Sequence, residues 1–324
     1  MPPRPELHPG TDRFHEPRRQ DCPWCGSRRL RTRLRTPDLL HHRPGTFVLD
    51  ECRDCAHTFQ NPRLTWEGFG LYHRDFYEGR LADYAERGHT TRAGRRRHRA
   101  AVRATRALPE PESWLDIGTG HAHFPHTAKQ LLPYTAFDGL DPTLRIVRAQ
   151  AAGRVEEAHL GHLTTPEVLT RLRARYDVVS MFHHLEHAPD PRAELRAALT
   201  ALRPGGLLLV ETPDPRSPFA RLLGKWWFPH GQPRQLHLLP PANLRAELEA
   251  QGCEILATDH RAPHLPYDLS AAVALLFGRL LPKRWPRAKA PLVATVAAVD
   301  HALAPVLRRT RFSNTYRIIA RKGR

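Results

Sequence analysis

A chain of 324 residues with a net charge of +17 and a pI near 10.6 can hold one large domain plus a small appendage, well above the size at which a core fails. The excess of arginine favours a polyanionic or phosphorylated partner, although a coding bias toward Arg, Ala, Pro and His would raise the charge equally. No basic start followed by an apolar core opens the chain, and its longest apolar runs are broken by Arg279 and by Asp300–His301, short of the ~20 apolar residues of a membrane span. Neither a secretory signal nor a membrane span is expected, and the composition reads as cytoplasmic.

Residues 1–20, rich in Pro and Arg, read as a flexible tail. Over 21–65, Cys22 and Cys25 and then Cys52 and Cys55 form two C-x-x-C knuckles, which predict a small zinc ribbon with one tetrahedral four-cysteine site, although the interval exceeds the roughly 15–20 residues of the usual pattern. A redox pair and cysteines with no joint role are the competing readings. Alternation over 30–35 and Phe47–Leu49 supply a hairpin between the knuckles. So small a module buries too little apolar surface to hold itself, and structural zinc, worth about 10–16 kcal/mol in finger peptides, would make up the difference. Four thiolates leave no open position, so this Zn2+ is structural. Gly26 suits a left-handed turn after the first knuckle; Ala56 departs from it at the second. Cys253, alone in a predicted strand, reads as a buried small hydrophobe.

Residues 66–110 read as a helical cap or linker. The aromatic stretch with Trp66, Phe69, Tyr72, His73, Phe76 and Tyr77 is expected to pack. In the helix over 91–108, Arg92, Arg95, Arg96, Arg99, Arg103 and Arg106 share one face, either a solvated surface or a phosphate-binding stripe.

The domain over 111–324 opens with SWLDIGTGHAHF, residues 113–124. An apolar strand passes through Asp116 into a turn whose Gly118 and Gly120 let backbone approach a ligand, and the following helix start, with Pro125 in its first turn, offers free N–H groups. Asp116 adds an acceptor for a ligand ammonium. The second strand, 134–140, runs into Asp141, about 20 residues past the glycines, where an acid accepts ribose hydroxyls. A third strand over 155–159 exits through Leu160, beside the base of a nucleoside. The fourth, Tyr176–Phe182, opens into His183-His184-Leu185-Glu186-His187. A helix to about Leu202 ends at Arg203-Pro204-Gly205-Gly206, and a fifth strand covers 207–210. Residues 217–239, with His230 and His237, form a long connection of the kind that acts as a lid. A helix over 243–250, a sixth strand over 254–258, two apolar helices within 268–308 and a last strand over 315–320 complete the chain. Repeated strand, turn and helix units argue for an α/β fold with a parallel sheet.

A dinucleotide fingerprint would place a third glycine at His123. The set Asp116-x-Gly118-x-Gly120, Asp141, Tyr176-Asp177-Val178-Val179 and Leu202-Arg203-Pro204-Gly205-Gly206 instead resembles class I S-adenosylmethionine-dependent methyltransferases over roughly residues 105–260, within a subgroup carrying an N-terminal zinc ribbon followed by an Asn61-Pro62-Arg63 type sequence. The resemblance implies a Rossmann-like seven-stranded methyltransferase sheet with its last strand antiparallel. It also implies an S-adenosylmethionine site in which Asp116 meets the methionine amine, Gly118 and Gly120 admit the cofactor, Asp141 holds the ribose, and Phe182 and His183 lie near the sulfonium. Ala122 stands where the glycine turn often has a third Gly, tolerated if its φ is negative.

Glu186 and His187 match a Glu-His pair of sugar C-methyltransferases and quinone-type O-methyltransferases, which makes His187 the first candidate base, oriented by Glu186. His183 and the lid's His237 are further candidates. His183 and His187 also have the spacing of helical metal ligands. The expected acceptor is a small molecule, such as a sugar nucleotide, glycan precursor or natural-product intermediate. The alternative is RNA, gripped by the ribbon and the arginine stripe, although the fourth strand lacks the Asn or Asp followed by Pro-Pro-Tyr of N-methylases.

Overall fold

The computed structural model describes residues 12–65, 67–70, 72, 91–105, 109–280 and 290–324. Trp66, His73, Phe76, Tyr77 and Arg106 lie outside them, as do most of the tail and much of the expected cap. Eleven strands occur among the described residues: β1 (Leu30–Pro37), β2 (Thr46–Cys52), β3 (Thr58–Gln60), β4 (Ser113–Ile117), β5 (Ala136–Asp141), β6 (Ala158–Leu160), β7 (Tyr176–Phe182), β8 (Leu202–Pro213), β9 (His237–Leu238), β10 (Cys253–Asp259) and β11 (Thr315–Lys322). They build two sheets, and the chain divides into two compact units.

The first unit comprises Met1–Gly79, Pro213–Pro240 and Leu265–Asn314. Its antiparallel sheet has the order β1-β2-β3-β9. The hairpin β1–β2 is the one expected between the knuckles. The lid stretch 217–239 and the apolar helices Asp268–Leu280 and Ala290–Leu307 cluster with the ribbon in this unit. Backbone pairing is the cause: β9 adds to the free edge of β3, and the Gln60 Nε2 donates to Gln232 Oε1 at 2.6 Å and to the Pro233 carbonyl at 3.1 Å. Phe47, Leu64 and Tyr72 form a small buried cluster with Phe69 against it. A second cluster gathers Phe219, Trp227 and Leu238 with Leu269 and Leu307.

The second unit, Arg80–Thr212, Pro241–His264 and Thr315–Arg324, holds a seven-stranded sheet of order β10-β11-β8-β7-β4-β5-β6. The run β8-β7-β4-β5-β6 is parallel and β10–β11 antiparallel, a Rossmann-like arrangement with its final strands reversed. One face presents Trp114, Phe137, Val178, Leu207, Leu209 and Ile319 to the helices Arg92–Arg103 and His123–Lys129, which contribute Ala101, Val102 and Phe124. Burying each large apolar side chain contributes about 1.5–3 kcal/mol, so this layer fixes where the carboxyl ends of β4, β5 and β7 lie. β8 is longer than the expected 207–210. Its pairing with β7 begins at Leu202↔Tyr176 and resumes at Leu207↔Val178, so Arg203–Gly206 is a bulge inside the strand, with Gly205 at φ +77°. Arg92, Arg95, Arg96, Arg99 and Arg103 all face outward on their helix; Arg97, which is not part of that stripe, is the arginine that turns inward.

Candidate functional site

At the carboxyl end of β4 the backbone enters the left-handed region at Gly118 (φ +69°), Gly120 (φ +55°) and Ala122 (φ +55°). A Cβ at Gly118 would lie 2.5 Å from His184 Nδ1, so only glycine fits there. At Gly120 nothing lies within 4 Å of such a Cβ, leaving an open place beside the turn. Ala122 corrects the expectation of a negative φ: it adopts the glycine conformation despite its methyl, which is buried with Ile146, Ala149 and Val155.

Asp141 is tied to this turn. Its Oδ2 accepts from the Gly120 N–H at 2.9 Å, and its Oδ1 accepts from the Thr143 N–H at 2.9 Å and the Thr143 hydroxyl at 2.5 Å. The glycine corner and the end of β5 are thereby one rigid piece. Asp116 lies deeper, 3% exposed, where Oδ1 accepts from the Ser180 hydroxyl at 2.6 Å while Ser180 Oγ accepts from Trp114 Nε1 at 2.9 Å. Burial pushes the Asp116 carboxyl up to about 7, against the pull of its Ser180 hydrogen bond. Leu160, at the tip of β6, is 48% exposed, and Phe182 packs on Phe124 with ring centroids 4.6 Å apart.

The strand β7 ends in a strained residue. His183 has φ +55°, unusual for any side chain beyond glycine, and is held there by its N–H donating to the Glu211 carbonyl at 2.8 Å. The twist turns its ring so that Nδ1 meets Glu186 Oε1 at 3.0 Å. Glu186 Oε2 accepts from the Thr212 hydroxyl at 3.2 Å. Burial disfavours the Glu186 carboxylate, but the His183 hydrogen bond and the charges of His183 and His187 outweigh it and hold the group down near 2. When the ring is neutral, a carboxylate at Nδ1 favours the tautomer with its proton there, which makes Nε2 the acceptor nitrogen. Nε2 is buried without a hydrogen-bond partner, 3.8 Å from Glu211 Oε1, which also lacks one. Glu211 Oε2 accepts from Arg317 Nε at 2.9 Å and its terminal nitrogen at 2.6 Å, and Arg97 Nε stands 3.4 Å from Oε1.

Glu186 therefore takes His183 as its direct partner. His187 lies in the same short turn, Leu185–His187, its N–H donating to the His184 carbonyl at 2.9 Å. The five-residue run is not a helix, so the spacing of His183 and His187 does not stack them as helical ligands. Glu211, Arg97 and Arg317 escaped the sequence reading because charged residues scattered over three elements carry no local pattern. His184 was hidden within a histidine run; its Nε2 meets Glu194 Oε1 at 2.9 Å, and this carboxylate raises its basicity although burial opposes the charge.

In the first unit, Cys22, Cys25, Cys52 and Cys55 bring their sulfurs together, with Cys22 and Cys55 3.7 Å apart and Cys25 and Cys52 3.5 Å apart. A tetrahedron with Zn–S bonds of about 2.3 Å has edges of about 3.8 Å, so this donor set fits zinc. The knuckles are alike: Gly26 and Ala56 donate to the Cys22 and Cys52 carbonyls, both at 2.9 Å, and both have positive φ. His57 Nδ1 lies 3.7 Å from Cys22 Sγ, and its Nε2 lies 3.1 Å from His237 Nδ1. His237, expected in a lid, is thus a residue of β9 stacked on His57 at the edge of the ribbon. A second group of metal-type side chains, Asp138, Glu157 and His159, is already engaged within the protein: Asp138 Oδ2 accepts from the Tyr176 hydroxyl at 2.8 Å and from Arg175 at 3.3 Å, and Glu157 Oε1 accepts from the same guanidinium at 2.7 Å.

The parallel sheet, its glycine corner and the acid closing β5 define a class I S-adenosylmethionine-dependent methyltransferase. Residues 85–258 match the family described as a methyltransferase domain, and the chain belongs to that family. A ubiquinone biosynthesis O-methyltransferase of Aeromonas salmonicida is 29% identical over 157 residues, covering 46% of this chain and 65% of that protein. Another, from Methylobacterium nodulans, is 30% identical over 164 residues, covering 47% of this chain and 64% of its own length. The chain thus spans a little under two thirds of these curated relatives. Among solved structures, the Haloferax volcanii complex of the Trm112 methyltransferase activator with a methyltransferase matches with a TM-score of 0.51 and 18% identity, covering 77% of this chain and 97% of that one, a likeness of fold.

Proposed function

We propose that this enzyme methylates a hydroxyl group of a small molecule, with His183 as the base and Glu186 as the carboxylate that orients it. The observation that carries this reading is the Glu186–His183 contact of 3.0 Å, which orients the ring as a carboxylate orients a general base; the opposite nitrogen, buried without a hydrogen-bond partner, is left to receive a proton once the surrounding side chains shift to admit the acceptor. Bound S-adenosylmethionine supplies an already activated methyl group, so the protein has to align the acceptor at about 3–3.5 Å and take its proton. Asp141 holds the ribose, Asp116 faces the methionine amine, Gly118 and Gly120 let the cofactor pass the backbone, and Leu160 and Phe182 flank it. His183 takes the acceptor proton at Nε2, and the resulting imidazolium lies between Glu186 and Glu211. His187 adds charge to Glu186 from the same turn. The relatives' designation as O-methyltransferases supports oxygen as the atom methylated.

The four cysteines hold a structural zinc, and His237, through His57, belongs to its surroundings rather than to the base. The outward arginines of the helix Arg92–Arg103 keep an RNA acceptor as the second reading. Transfer of labelled methyl to a library of hydroxylated metabolites, with bulk RNA assayed in parallel, tests both. Label in the small-molecule fraction is expected; label in RNA alone moves the assignment to the second reading, and no calorimetric binding of S-adenosylmethionine sinks both.

A further inference from the structure

The helix Ala290–Leu307 is apolar almost throughout, yet much of it faces solvent. Leu292, Val299, Leu303 and Val306 are between 43% and 63% exposed. At 3.6 residues per turn these four fall within about 60° of the circumference, forming one ridge about 20 Å long. One flank is anchored: Asp300, about a quarter turn round from the ridge and 2% exposed, accepts from the Leu269 N–H at 3.1 Å and the Ser270 N–H at 2.8 Å, pinning the start of the helix Asp268–Leu280. Ridge and anchor belong to the same compact unit.

Along the segment that carries the ridge, the exposed acid–base charge has one sign. Between Asp268 and Asn314 the only acids are Asp268 and Asp300, both buried and both used internally, Asp268 accepting from Trp227 Nε1 at 2.8 Å and Asn314 Nδ2 at 2.6 Å. Arg279, Arg309 and Arg311 are exposed. Such a surface repels a second copy of itself, since cations would meet cations across a symmetric contact. It also offers a nucleic acid an apolar strip where phosphates need cations. An anionic bilayer satisfies both parts at once, its headgroups taking the arginines and its acyl boundary the ridge. We infer that the helix Ala290–Leu307 docks in the plane of an anionic lipid surface. It lies on the membrane and does not cross it: among the described residues no helix is long and apolar enough to span.

Co-sedimentation of the full chain with vesicles of phosphatidylcholine alone, and of phosphatidylcholine mixed with phosphatidylglycerol, tests the inference without reference to catalysis. The chain is expected to pellet with the mixed vesicles and to be released by salt. Leu303→Asp, and separately Arg309→Glu with Arg311→Glu, should each lower the partition about ten-fold or more, while Leu303→Met retains it. These positions are exposed, so an unchanged melting temperature certifies the fold of each variant. A chain that stays in the supernatant with mixed vesicles, or pellets equally with neutral ones, overturns the inference. So does a dimer in sedimentation velocity that Leu303→Asp dissolves, which would assign the ridge to a second copy.

Discussion

Glu186 meets His183 at 3.0 Å on Nδ1, and the other ring nitrogen faces Glu211 at 3.8 Å with no hydrogen-bond partner at either atom. Replacing the ring by His183→Gln should therefore lower kcat by about 10²–10⁴-fold, the usual range for a lost general base. Glu186→Gln should cost less, because the ring remains but its tautomer is no longer imposed. His187→Gln should cost least. Calorimetric affinity for S-adenosylmethionine should stay within a few-fold for all three; a larger drop in kcat for His187→Gln than for His183→Gln would return the base to His187.

Glu211 and Arg317 are both fully buried and joined by two hydrogen bonds. Removing one partner of a buried pair leaves the other charge without compensation, at a cost of about 3–5 kcal/mol. Glu211→Ala should lose stability of that order in urea unfolding, because it strands Arg317 and also removes the carboxylate that lies 3.4 Å from Arg97. Arg97→Met, removing the more loosely placed cation, should lose much less.

The ribbon should carry one zinc per chain, released on substituting Cys52→Ser. A hydrogen bond to a ligating sulfur tunes the metal from outside its ligand sphere, so His57→Phe should weaken zinc about 10–100-fold in competition with a chromophoric chelator. His237→Phe, one ring further out, should do so less. Cobalt substitution gives an independent readout, since loss of the His57 contact at Cys22 should shift the sulfur-to-cobalt charge-transfer band. Equal affinities in all three histidine forms would detach His57 and His237 from the metal.

The sheet was legible because its strands are long apolar runs closed by Gly, Pro or Asp: Tyr176–Phe182 is the same element in sequence and structure. The glycine corner and the four-cysteine set were legible for a related reason, since both are local patterns of a few residues. What stayed hidden is non-local. Nothing around His237 announces that a two-residue strand pairs with Thr58 and Phe59, because edge pairing depends on a partner 180 residues away. The contact of Glu186 with His183 was equally unreadable, since it rests on a left-handed φ at His183 that no neighbouring glycine signals. Likewise Arg97 hides among outward arginines, separated only by helical phase.

Two buried acids set a pH dependence. Burial pushes Asp116 and Asp268 each up to about 7, from an ordinary value near 3.8. The native state then holds protons between about pH 4 and 7 that the unfolded chain has released, so stability falls as pH rises through that window. Glu186, held down near 2, acts oppositely, and its contribution is lost only as pH drops below about 4.5 toward 2. Thermal melts should show a maximum near pH 4 and a decline that levels off above about pH 7. Asp268→Asn should flatten part of that decline; an unchanged slope would show that Asp268 does not titrate there.

Ala56 and Ala122 share a left-handed backbone, with φ of +56° and +55°, but not an environment. For an L-residue that conformation costs roughly 1–2 kcal/mol, which glycine avoids at an entropic cost of roughly 0.5–1 kcal/mol. At Ala56 the methyl is half-buried on the second knuckle, so Ala56→Gly should stabilise the zinc-loaded chain by about 0.5–1 kcal/mol. At Ala122 the methyl is fully buried against Ile146 and Val155, and deleting it forfeits about 0.8 kcal/mol of burial. The two terms at Ala122 nearly cancel, and Ala122→Gly should leave stability almost unchanged. Chemical denaturation of both variants separates these outcomes: equal gains at the two positions would mean that the buried methyl of Ala122 contributes nothing to its packing.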